Sequence, residues 1–237
     1  MTRIKTWLLS TSGIIVLSTG LSLMMLAETM FAPWGPYFPV FAILTTAIPI
    51  LLKTYKFGHF GKVMASAWLL TLGIFALDLI VDQGISGWLY GRILADLGLA
   101  SDPFYSIDAA MDKMFEAVVR NLGISLETAE GLFGLFALVW APFGEELFYR
   151  GYMYGGLRKR FGFWTAALIP AAFFGVRHAF HFFYMWPDVP LVAGAVWMLF
   201  TAAYAIYISY LYERTGSLYP PIIEHILINI VWLLTLL

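Results

Sequence analysis

Cysteine is absent from the 237 residues. That removes disulfides, thiolate metal sites and cysteine nucleophiles together, and leaves the redox compartment open. Charge is scarce as well: Asp, Glu, Lys and Arg make up 12% of the chain, where a soluble domain carries about 25%. The net charge of −1 gives nucleic acid no basic surface to bind. No internal repeat or low-complexity tract occurs, which weighs against a transporter built of two related halves. His-Glu-x-x-His is missing too, and with it the usual helical zinc-protease pattern. What fills the chain instead is apolar: 61% hydrophobic and 18% aromatic residues, with a mean hydropathy of +0.80.

This composition makes lipid the solvent for most of the chain. At about 20 residues per crossing, its length suits one all-α, polytopic transmembrane bundle of about seven to eight spanning helices. Apolar stretches place seven spans near 7–27, 36–52, 63–81, 131–154, 163–184, 189–212 and 218–237. The whole chain, 1–237, reads as a single membrane-embedded domain. It divides into N-terminal spans (1–81), an acidic extracytoplasmic loop (82–130) and a C-terminal group of helices (131–237). Arg3 and Lys5 precede the run from Trp7 to Ala27, which is longer than a signal-peptide core and lacks a small-x-small cleavage site. It is expected to be a retained first span.

Basic residues orient the bundle. With the N-terminus cytoplasmic, nine of them (Arg3, Lys5, Lys53, Lys56, Lys62, Arg158, Lys159, Arg160 and Arg214) fall on the cytoplasmic side. Only three (Arg92, Lys113 and Arg120) fall opposite, all within the long loop, as the positive-inside rule requires. In that loop Asp102-Pro103 resembles a helix start, and Phe104, Ile107, Met111, Met114 and Val118 recur at helical spacing, predicting an amphipathic helix on the outer surface. Residues 84–99 are apolar enough to re-enter the membrane or form half of an eighth span.

Ionisable groups inside apolar spans are costly and mark function or pairing. Three spans carry them: Glu145, Glu146 and Arg150 in one, Arg177, His178 and His181 in the next, and Glu224, His225 and Asn229 in the last. Glu146 and Arg150 are four apart, share a helix face and can pair. Glu145 lies about 100° round the helix and has no local cation, so it is expected to stand unpaired as a base towards water. Pro142 and Gly144 just before it are expected to loosen the helix. Snorkelling near a helix end is the plain reading of Arg177.

His178 is the natural partner for Glu145, able to orient a water and carry a proton; His181, one turn on, is an alternative or a supporting group. His225 and Asn229 are four apart and point the same way, so both can donate to one oxyanion. The plain reading of that pair is a polar stripe joining helices.

Glu-Glu-x-x-x-Arg (Glu145, Glu146, Arg150), Phe-x-x-x-His (Phe174, His178) and His-x-x-x-Asn (His225, Asn229), in this order on apolar spans, resemble the CPBP family of intramembrane proteases. This family groups CAAX-prenyl-protease and bacteriocin-processing membrane proteins. The resemblance covers the chain from Leu132 onward, and Arg150-Gly151-Tyr152 is similar to prokaryotic members. It implies a glutamic endopeptidase of a prokaryotic cell membrane, without metal or other cofactor, acting on a membrane-associated protein or peptide substrate. Glu145 and His178 would then activate water, His225 and Asn229 would form the oxyanion hole, and Glu146 and Arg150 would support the site. Two rival readings stand beside it: zinc held by Glu145, His178, His181 and His225, and a non-catalytic immunity, scaffold or transport protein.

Overall fold

Lipid offers the backbone no hydrogen-bond partner, so a chain this apolar must satisfy its peptide groups within each crossing segment. The computed structural model describes residues 3–31, 37–102, 105, 107–185 and 191–234, and the regular elements among them are helices. In chain order they are α1 (Arg3–Leu8), α2 (Thr11–Phe31), α3 (Tyr37–Leu52), α4 (Phe60–Asp78), π1 (Leu79–Ser86), α5 (Gly87–Asp96), α6 (Ile107–Leu122), α7 (Leu126–Leu135), π2 (Phe136–Tyr154), α8 (Gly155–Leu157), α9 (Phe163–Met185), α10 (Leu191–Thr215) and α11 (Tyr219–Leu234). The fold is the helical membrane bundle expected. Phe60–Asp96, Leu126–Leu157 and Gly194–Thr215 are long and apolar enough to cross a bilayer, and Thr11–Ala27, Val40–Leu52 and Tyr219–Leu234 are shorter apolar helices.

Large apolar side chains such as Leu69, Ile80, Trp88 and Leu199 face outward, while Glu146, Arg150 and Glu224 are wholly enclosed. That distribution suits lipid outside and a polar centre within. Two boundaries differ from the hydropathy pattern. The stretch from Trp7 breaks after α1, because Ser10 turns back on Trp7 and its hydroxyl accepts from the Gly13 amide at 3.1 Å, starting α2 afresh. The helix begun by α4 does not stop at Val81; it runs on through π1 and α5 to Asp96, so the first part of the expected loop is helical. Ser125 caps α7 by accepting from the Thr128 amide at 3.2 Å, and α6 packs against α7 and α9. The expected helix start at Asp102-Pro103 and the side chains of Phe104, Ile107, Met111 and Met114 lie outside the described residues, in whole or in part.

Three features position the centre of the bundle. First, π2 is wound in the wider, i→i+5 manner, which is rare over such a length and concentrates at functional sites. Pro142 within it has no N–H, and Gly144 lets α3 come close: a Cβ there would sit 2.8 Å from the Thr46 hydroxyl. The loosening expected from Pro142 and Gly144 is thus present in the winding. Second, α9 and α10 pack side by side at Gly175, where a Cβ would lie 2.5 Å from the Met198 carbonyl. Third, the segment between α3 and α4 is stitched to the start of α11. The Leu218 amide donates to the Lys56 carbonyl at 2.8 Å, and the Ser217 hydroxyl donates to the Phe57 carbonyl. Gly216, at φ 62°, makes the left-handed turn that ends α10 and aims α11 back into the bundle.

Candidate active site

Four helices bring the polar groups of the sequence together. On π2 the adjacent carboxylates diverge. Glu146 accepts from Arg150 at 3.0 Å, as the i,i+4 spacing predicts, and also from Nδ1 of His225 on α11 at 2.9 Å, both at the same oxygen. Arg150 reaches on to the Ala205 carbonyl of α10 at 3.3 Å. Glu145 points towards α9 and pairs with Arg177 at 2.8 Å. The expectation that Glu145 stands without a countercharge is therefore corrected, and so is the snorkelling reading of Arg177, which is 2% exposed. The cation comes from a neighbouring helix, where spacing within one helix could not reveal it.

Phe174 sits between the two ion pairs. The Arg150 guanidinium lies 5.2 Å and the Arg177 guanidinium 5.3 Å from its ring centre. Tyr149 meets the ring edge-on at 5.0 Å, and the His178 imidazole lies 4.3 Å away, centre to centre. The aromatic residue of Phe-x-x-x-His thus holds two cations and the histidine in place, each cation–π contact contributing about 0.5–2 kcal/mol. His178 donates Nδ1–H to the Phe174 carbonyl at 2.8 Å, since a carbonyl can only accept. In the neutral ring that fixes Nε2 as the basic nitrogen. The side chain of His181 lies outside the described residues.

Asn229, one turn beyond His225, donates to the Ala137 carbonyl at 2.7 Å. In i→i+5 winding the partner of that carbonyl would be the amide of residue 142, which is proline and has none. Asn229 therefore satisfies the carbonyl that Pro142 orphans, and its second amide hydrogen is not needed for this contact.

Some residues of the centre escaped the sequence. Phe41 of α3 lies 5.7 Å from the Arg177 guanidinium, and Thr46 accepts from the Trp140 indole at 3.0 Å. Tyr204 of α10 donates to Glu224 at 3.1 Å, stands edge-on to His225 at 5.6 Å and lies under Arg150. Asp78 of α4 is 1% exposed and interacts electrostatically with Glu224. Asp78 carried a usable signal, being the lone charge in the stretch 63–81; Tyr204 carried none among thirteen tyrosines. Among the described residues no three His, Asp or Glu side chains converge as a metal-binding group.

Residues 128–231 match the family model described as Rce1-like, type II CAAX prenyl endopeptidase, and π2, α9 and α11 with their motif residues all lie in that segment. The match covers the segment that carries the three motifs, and the likeness to CAAX-type membrane proteases applies to that segment. No curated protein and no solved structure matches the chain significantly.

Proposed function

We propose that the protein is an intramembrane endopeptidase that hydrolyses a peptide bond of a membrane-associated protein or peptide, with Glu145 as the base that activates water. The observation carrying this reading is the divergence of the two carboxylates. Glu146 is committed to Arg150 and His225 through one oxygen, whereas Glu145 has a partner of its own across the π2–α9 boundary. One carboxylate thus organises the site and the other is left to do chemistry, beside the helix that carries His178.

In this mechanism Glu145 takes a proton from water as the hydroxide oxygen attacks the scissile carbonyl carbon. His178, with Nδ1–H fixed on the Phe174 carbonyl, offers Nε2 to orient that water and to pass a proton to the leaving amine. His225 and Asn229 donate to the oxyanion. Because Nδ1–H of His225 is given to Glu146, Nε2 donates only in the imidazolium form, and the Glu146 carboxylate supplies the countercharge of that form. Asn229 contributes the amide hydrogen left over from Ala137. Each such donor supplies about 3 kcal/mol of transition-state stabilisation. Cleavage uses no cofactor, and the family match supports CAAX-type membrane substrates as the first class to test.

The test compares protein N-termini in membranes carrying wild type, Glu145→Gln or His178→Ala, each inserted at equal levels. New termini should form with wild type and vanish with both variants. Identical termini in all three would overturn the proteolytic reading in favour of a scaffold or transport role.

A further inference from the structure

Arg177 is not one of the motif residues, yet it makes the shortest ion pair of the described centre with the proposed base. It is 2% exposed, lies between the Phe41 and Phe174 rings, and also interacts with the Tyr149 hydroxyl. Its Nε is enclosed without an acceptor. A buried guanidinium built this way is held by aromatic faces on two helices (α3 and α9) and does not depend on Glu145 alone for its position.

We infer that Arg177 is a further catalytic residue: it keeps its charge compensated by trading the Glu145 carboxylate for the oxyanion as water attacks. This rests on the proteolytic reading above. The balance of the step shows where such a group would act, alongside His225 and Asn229. When water adds, one O–H bond breaks and its proton goes to Glu145, the hydroxide oxygen bonds to the carbonyl carbon, and the carbonyl π pair moves onto oxygen. Glu145 becomes neutral and the substrate oxygen becomes negative, so the negative charge moves but does not change in amount.

In a low-dielectric interior, moving that charge away from the cation paired with Glu145 would be costly. A guanidinium that follows the charge stays paired throughout, and its enclosed Nε–H is a donor still unspent. In the second half Glu145 returns its proton towards the leaving amine through His178, the C–N bond breaks, the oxyanion reforms a carbonyl and Arg177 pairs again with the carboxylate. A cation that only held Glu145 in place would be as useful in the ground state as in the transition state; one that follows the charge acts on kcat.

The experiment uses the purified full-length protein in detergent, with a peptide spanning a wild-type-specific cleavage site as substrate. Arg177→Gln should lower kcat about 100-fold, the loss typical of one charge-stabilising donor, with KM changed less than about threefold. Arg177→Lys restores the charge without the planar fork, so its kcat per folded molecule should lie between the two, about tenfold below wild type. Should Arg177→Gln fail to fold, Arg177→Lys still decides through its kcat. Wild-type kcat in Arg177→Gln, or in Arg177→Lys a loss that only follows its folded fraction, would overturn the inference. Activity in Glu145→Gln would instead overturn the reading on which it rests, so the two failures are distinguishable.

Discussion

Removing the Arg150 guanidinium tests the charge arrangement most directly. Arg150 and Glu146 are both fully enclosed and 3.0 Å apart. Arg150→Ala leaves Glu146 with His225 as its hydrogen-bond partner and deprives the Ala205 carbonyl of its 3.3 Å contact. It also removes the cation above Phe174 and Tyr204. Breaking a buried pair from one side costs about 3–5 kcal/mol. For a chain of this size each kcal/mol shifts Tm by about 2–4 °C, so Arg150→Ala should melt at least about 6 °C below wild type in detergent, read by intrinsic fluorescence. The double variant Glu146→Gln with Arg150→Met removes both charges, while the Gln carbonyl can still accept from His225. It should melt closer to wild type than Arg150→Ala does. Unchanged melting of Arg150→Ala, or an equal or larger drop in the double variant, would refute the paired-charge account.

Other outcomes follow from the same geometry. Asn229→Ala should cost about 1–3 kcal/mol by orphaning the Ala137 carbonyl. That cost should shrink when Pro142→Ala supplies the missing N–H, which a double-mutant cycle of melting temperatures checks. Gly175→Val should lower Tm and expression together, since its Cβ would sit 2.5 Å from the Met198 carbonyl and force α9 from α10. Cleavage should survive strong chelators in detergent; loss restored by added zinc would favour the metal reading over the carboxylate one.

What the sequence could reveal follows from where each partner lies. Glu146–Arg150 was legible because both residues are on one helix at i,i+4. Glu145–Arg177 was not, because hydropathy and spacing say nothing about which faces of separate helices meet. The same applies to Phe41 and Thr46, apolar or weakly polar side chains whose role comes from what lies opposite. The helical bundle itself was written in composition and run length, down to most boundaries. The extension to Asp96 was hidden because Asp82, Gln83 and Gly84 look like a loop, although a helix can carry them. Pro142 gave a real hint of altered winding, but only the bond from Asn229 to Ala137 explains how the bundle tolerates it.

The share taken by α3 has an evolutionary consequence. Phe41 reaches Arg177 and Thr46 reaches Trp140 from a helix that lies before the segment 128–231 matched by the family model. Mutations in this stretch can alter the surroundings of Glu145 while every signature residue stays intact. Lineages sharing the same motifs are thereby free to diverge in what they accept, and swapping the signature segment alone between two such proteins would carry over only part of the specificity.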